Sequence, residues 1–238
     1  MEARVEVHAD EAAVAAAVAE RLVALAGAAP RPPFTLALAG GSTPRRLYEL
    51  LASDAFASRM PWDRVEIFFG DERAVPPDHP DSNWGMASRA LLDRVPVRAH
   101  RMPAEEGDAE AYARLLAARV PARRGDVPVL DVVLLGLGED GHTASLFPDT
   151  AALDETRRSV VMNDVPQLAT RRMTLTFPAI NVARHVWLLV TGARKRRLVA
   201  GCLGGAEAGA WPVLRVRPED GELVWWLDDA AAGRGGRR

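Results

Sequence analysis

From Val127 to Gly136 the chain reads VPVLDVVLLG, apolar throughout except for Asp131 and closed by a glycine. The run is too short for a buried helix and does not alternate, so it reads as a strand covered on both faces, as in a parallel sheet. Other segments agree. RVEVHAD (Arg4 to Asp10) alternates like a short strand; Asp10 is placed to cap the Ala-rich helix that follows, and Gly27 to stop it. FTLALAGG, DRVEIFFG, RRMTLTFPAIN, RHVWLLVTG and ELVWWLDD read as further strands, with helices in STPRRLYELLAS, WGMASRALLDRV, GDAEAYARLLAARV and ARKRRLVAGCLGG. This alternation predicts an α/β fold with a mostly parallel sheet. With no internal repeat and no long polar linker, residues 1–232 are expected to form one domain, and the tail GRGGRR, 233–238, to be disordered.

A chain of 238 residues can bury a substantial core without a disulfide or a metal, and the lone Cys202 excludes an internal disulfide. The net charge of −2 and the scattered basic residues argue against nucleic acid or an anionic membrane as the partner. The six tryptophans form no stacking array with basic residues. The acidic start MEARVEVHADEAAV lacks the layout of a signal peptide, and no apolar stretch approaches the roughly 18 residues of a membrane span. The expected setting is the cytoplasm, as a monomer or small homo-oligomer.

Ligands of open α/β sheets bind beyond the carboxyl ends of the strands, and four loops there carry chemistry. In LAGGSTPRRL, Gly40 and Gly41 allow a tight turn, Thr43 is placed as N-cap and Pro44 as first helical residue. The amides of Arg45 and Arg46, with the hydroxyls of Ser42 and Thr43, would then face an anion at the helix N-terminus. No Walker lysine is present, so a nucleotide triphosphate is not expected. In FFGDERAVPPDHPDSN, a strand delivers Asp71, Glu72 and Arg73 into a loop; Arg73 could hold a phosphate and Asp71 orient a hydroxyl or move a proton, or the acids and the arginine could simply pair.

In GLGEDGHTASLFP, three glycines surround Glu139, Asp140 and His142, and Thr143 to Ser145 read as a helix start. Metal spacing is absent, the dinucleotide fingerprint fails after its last glycine, and no G-x-S-x-G elbow exists. His142 as a general base oriented by Asp140 or another carboxylate remains, beside a histidine that only ties down its loop. Fourth, Lys195 is the only lysine among 30 basic residues and opens a helix after a strand, where a compact ammonium suits a phosphate.

Taken in order, LAGGSTP, GDERAVPPDHPDSN, GEDGHTASLFP, RRMTLTFPAINVARHVWLLVTGARK and GELVWWLD resemble the 6-phosphogluconolactonases over nearly the whole chain. The resemblance implies a three-layer α/β/α sandwich with a Rossmann-like sheet, no metal or organic cofactor, and a phosphorylated sugar lactone as substrate. It places His142 as general base with Asp71 and Asp140 in the same site. Gly40, Gly41, Ser42, Thr43, Arg45, Arg73, Asn83, Arg172 and Lys195 become substrate or phosphate contacts. The related glucosamine-6-phosphate deaminases are the rival: their histidine loop resembles GHIAFNEP, with a glutamate where this chain has Phe147. A sugar-phosphate-binding regulator would need a DNA-binding segment, and about ten residues before the first helix are too few for a helix-turn-helix. A binding protein without activity is the remaining alternative.

Overall fold

The computed structural model describes residues 3–205 and 210–234. The chain opens with β1 (Arg4–His8) and α1 (Glu11–Ala28), whose first turn is capped as expected by Asp10, its Oδ1 accepting from the Ala13 amide at 2.8 Å. Then come β2 (Phe34–Leu38), α2 (Ser42–Leu51), β3 (Val65–Phe69), β4 (Asp71–Arg73) and α3 (Asn83–Ala87), which runs on into a π-helical turn, Ser88–Leu92. After β5 (Arg98–Ala99) and α4 (Ala109–Arg119), β6 (Arg123–Arg124) and β7 (Val127–Pro128) form a minimal hairpin. The second half carries β8 (Val132–Leu135), β9 (Val160–Val165), β10 (Thr170–Leu175), α5 (Phe177–Asn181), β11 (His185–Val190), α6 (Arg196–Leu203), β12 (Glu222–Asp228) and α7 (Asp229–Ala232).

Seven strands form one parallel sheet in the order β1-β12-β11-β8-β2-β3-β5. Every residue of β2, β3 and β8 is buried, so helices cover both faces and the sandwich has three layers. Such continuous burial is why VVLL carries no polar alternation.

Two strands leave the expected arrangement. RRMTLTFPAIN does not join the parallel sheet: β10 is the middle strand of a small antiparallel sheet, β4-β10-β9. The residues after Gly70, read as a loop, form its edge strand. Gly70 is the junction, its amide donating to Leu38 O of the large sheet and its carbonyl accepting from Leu175 N of the small one, both at 2.8 Å. At the C-terminus, Gly233 closes α7 with φ 73° and the Arg234 amide donates to Asp229 O; 235–238 lie outside the described residues.

Candidate active site

A cleft of about 490 Å³ opens at the carboxyl ends of β2, β3, β8 and β11. The chain's two tyrosines, buried and unremarked in the sequence, help shape its edge. Tyr48 Oη accepts from the Ala39 amide (2.9 Å) and donates to its carbonyl (2.8 Å), while Tyr112 Oη accepts from the Phe69 amide (2.9 Å). Each hydroxyl satisfies the backbone at a strand's end, where the chain turns away from its neighbour. Burial holds both phenols far above their ordinary pKa, so they stay neutral.

The glycine loop differs from the sequence reading by two residues. α2 starts at Ser42, with Gly41 as its cap at φ 108°, a conformation that needs glycine. Neither the Thr43 cap nor the free Arg45 amide exists: Arg45 N donates to Gly41 O at 3.1 Å as the first helical bond. Pro44 is tolerated because its missing amide still falls in the first turn. The donors left at the helix mouth are the amides of Ser42 and Thr43. The Thr43 hydroxyl shares a 2.7 Å hydrogen bond with that of Thr191. The Arg45 side chain turns outward to Glu49 (3.0 Å) and does not line the cleft.

Asp71 is buried at the start of β4. Its Oδ2 accepts from Ser145 Oγ at 2.6 Å and its Oδ1 from Asn83 Nδ2 at 3.3 Å. Asn83 in turn presses on Gly40, where a Cβ would lie 2.0 Å from its Oδ1. Glu72 beside it is not a reacting group. Its carboxylate accepts from the amides of Arg73, Asn83 and Trp84 (2.7–2.8 Å) and from Ser82 Oγ, seating the first turn of α3. Burial raises its pKa against those hydrogen bonds.

His142 lies on the wall of the cleft with Nδ1 2.5 Å from Asp140 Oδ1, and that same oxygen accepts from the His142 amide at 3.1 Å. The carboxylate thus favours Nδ1 as the protonated nitrogen, which leaves the lone pair on Nε2. Asp140 stands behind the ring and does not line the cleft. Gly138 lies against the ring, where a Cβ would come 2.1 Å from Nδ1. Phe147 stacks on the imidazole with centroids 3.9 Å apart, and Arg172 Cζ lies 5.3 Å from the centroid of that phenyl ring. The expected helix start after His142 is absent. Thr143 Oγ1 donates to Gly136 O (2.8 Å), Ser145 serves Asp71 and Thr174, and Ala144 adopts φ 47°. These tertiary partners offset the left-handed backbone of Ala144, which costs about 1–2 kcal/mol in a non-glycine residue. The amides of Gly138 and Gly141 are spent on His142 O and Gly138 O.

Arg73 and Arg172 are cross-strand neighbours on β4 and β10, and both line the cleft. Arg73 donates to Asp81 O, but its Nε and that of Arg172 are buried with no partner, and no carboxylate pairs with either among the described residues. Burial first, then the charge of Arg73, lowers the Arg172 pKa, though a guanidinium stays charged. Lys195, at the N-cap of α6, also lines the cleft; desolvation lowers its pKa. Two unpaired guanidiniums, an ammonium and a helix N-terminus make the cleft a site for an anion. Among the described residues no three His, Cys, Asp or Glu side chains gather as metal ligands, and no helix is long and apolar enough to cross a membrane.

A family model described as glucosamine-6-phosphate isomerases/6-phosphogluconolactonase matches residues 9–225. A 6-phosphogluconolactonase of Nostoc is 44% identical over 206 residues, 83% of each chain. The structure of 6-phosphogluconolactonase from Trypanosoma brucei superposes with a TM-score of 0.86 at 33% identity, covering 99% of both chains. A monomeric glucosamine-6-phosphate deaminase shares the fold, with a TM-score of 0.78 at 19% identity over 97% of this chain and 99% of that one, so the fold alone does not choose between the two reactions.

Proposed function

The chain belongs to the glucosamine-6-phosphate isomerase/6-phosphogluconolactonase family, and from that premise we propose that it hydrolyses 6-phospho-D-glucono-1,5-lactone to 6-phosphogluconate, the lactone-opening step of the oxidative pentose phosphate pathway. The observation that carries the reading is His142, oriented by Asp140 on the wall of a cleft that also holds Arg73, Arg172 and Lys195, none of them paired with a carboxylate among the described residues. His142 Nε2 takes a proton from water, and the water oxygen attacks the lactone carbonyl. The tetrahedral intermediate collapses by breaking the bond between the carbonyl carbon and the ring oxygen, which receives the proton back from the imidazolium. The Ser42 and Thr43 amides and hydroxyls, Lys195, Arg73 and Arg172 hold the phosphate and fix the ring against the base. Asp71, kept in place by Ser145 and Asn83, is available to a sugar hydroxyl.

Phe147 favours the lactonase over the deaminase: an apolar ring stacked on the histidine occupies the position of the rival's carboxylate. We place the reaction in the cytoplasm and without a metal, so activity should survive a chelator. Purified protein should open the lactone above the spontaneous rate, followed as acid release; no acceleration overturns the reading, and ammonia release from glucosamine 6-phosphate replaces it with the rival. His142→Ala should lower kcat by about 10²–10⁴-fold with little change in the thermal midpoint, and wild-type turnover would remove His142 from the mechanism.

A further inference from the structure

Two glycines in different elements lie against one residue. Gly141, next to His142, has φ 81°, and a Cβ there would lie 2.5 Å from Trp211 Cβ and 2.6 Å from its Cγ and Cδ1. Gly201, inside α6, would place a Cβ 2.6 Å from Trp211 Cη2 and 2.9 Å from Cζ3. A helix-interior glycine costs about 1 kcal/mol relative to alanine, and nothing else in α6 accounts for it. The indole thus spans from the loop that carries His142, touched by its pyrrole end, to the helix headed by Lys195, touched by the far edge of its six-membered ring. A second tie runs from the Val213 amide to Gly141 O at 3.0 Å. The segment after the indole is itself held: Asn181 of α5 donates to Arg215 O (3.0 Å) and accepts from the Arg217 amide (2.8 Å).

We propose that Trp211 is a strut that sets the spacing between His142 and Lys195, and is therefore a positioning residue for the reaction. The inference rests on the reading that these two side chains serve the lactone and the phosphate of one substrate. The carbonyl carbon C1 and the phosphate-bearing arm on C5 flank the ring oxygen at a spacing the ring limits, so both groups are held only if the loop and the helix stay at one separation. A displacement of about 1 Å can cost on the order of a hundredfold in rate.

The two ends of the indole can be tested apart. Trp211→Phe keeps the Cβ, Cγ and Cδ1 contacts with Gly141, but its ring stops short of Gly201. It should raise KM for the lactone about threefold or more with kcat within about twofold of wild type. Trp211→Ala releases both ends and should also lower kcat about tenfold and move the acid limb of the kcat/KM pH profile, which Trp211→Phe leaves in place. Gly201→Ala pushes the indole from the other side: it should raise KM in the wild-type background and leave KM unchanged in the Trp211→Ala background. Additive effects in that cycle, or kcat and KM of Trp211→Ala both at wild-type values, overturn the strut. Should Trp211→Ala fail to fold, the KM of Trp211→Phe and of Gly201→Ala decides in the same way. If the wild-type protein opens no lactone, the hydrolase reading falls separately. The strut is then decided by inorganic phosphate, read through its protection against thermal unfolding: weaker binding by Trp211→Phe and Gly201→Ala supports it, and unchanged binding overturns it.

Discussion

At Glu66, on β3, the chain gathers two guanidiniums and an imidazole around one buried carboxylate. His100 Nε2 lies at 2.7 Å, Arg119 Nε at 3.0 Å and Arg98 at 3.4 Å. At Arg73 and Arg172, on β4 and β10, it sets two guanidiniums opposite one another and gives neither a carboxylate. The first cluster is complete in itself. Burial pushes the Glu66 carboxyl up, but the hydrogen bonds from Arg119 and His100 outweigh it and leave its pKa below the usual value of 4.5. The second is incomplete: like charges face each other across a strand pair, and buried N–H donors have no acceptor, both of which cost stability. A fold keeps such a pair where a ligand anion completes it. Charge density is shared by both clusters; cations without a carboxylate partner distinguish the candidate site.

Four measurements sharpen or break that contrast. The largest effect belongs to the double change Arg73→Ala, Arg172→Ala. With about 2 kcal/mol lost for each charge-assisted hydrogen bond, kcat/KM should fall on the order of a thousandfold, while the thermal midpoint holds or rises as the repulsion goes. A lowered midpoint would make the pair structural. Next, ligand linkage should follow the incomplete site only. 6-Phosphogluconate at a hundred times its Kd should stabilise wild type by about 2.7 kcal/mol and the double variant hardly at all; equal protection of both would place the anion elsewhere. Glu66→Ala leaves two cations near an unfilled site and should cost about 2 kcal/mol, or roughly 4–8 °C in a chain of this size, with kcat/KM unchanged. A loss of kcat/KM in the folded enzyme would merge the two clusters into one system. The smallest effect is in pH. Because the folded state holds the Glu66 proton less tightly than the unfolded chain, its contribution is full above pH 4.5 and fades as pH falls below it. Glu66→Gln should show a shallower loss of stability over that range, and parallel acid-unfolding curves would contradict it.

Much of the site was legible in particular residues. Gly138 and Gly141 around Asp140 and His142 pointed to a loop that presents a histidine, and it does so with Nδ1 on Asp140. The lone lysine does stand on the cleft. Other features were hidden because their signals are not local. Arg172 reads as one basic residue in RRMTLT, and nothing in that string says its strand will leave the parallel sheet to oppose Arg73. Ser145 looks like part of a helix start until Asp71, 74 residues away, claims its hydroxyl. Gly201 looks like a weak point in α6 until Trp211 fills the space above it.

By itself, the sequence determined the parallel sheet and the loops at its carboxyl edge, because continuous apolar runs and glycine-rich turns act through neighbours in the chain. Only the tertiary structure decided where α2 begins, which arginines share the cleft, and which acids are spent on the scaffold, Glu72 on α3 and Glu66 on two arginines and a histidine. Those outcomes depend on burial and on partners distant in sequence, and a side chain's charge becomes chemistry or scaffolding according to whether the fold gives it a partner.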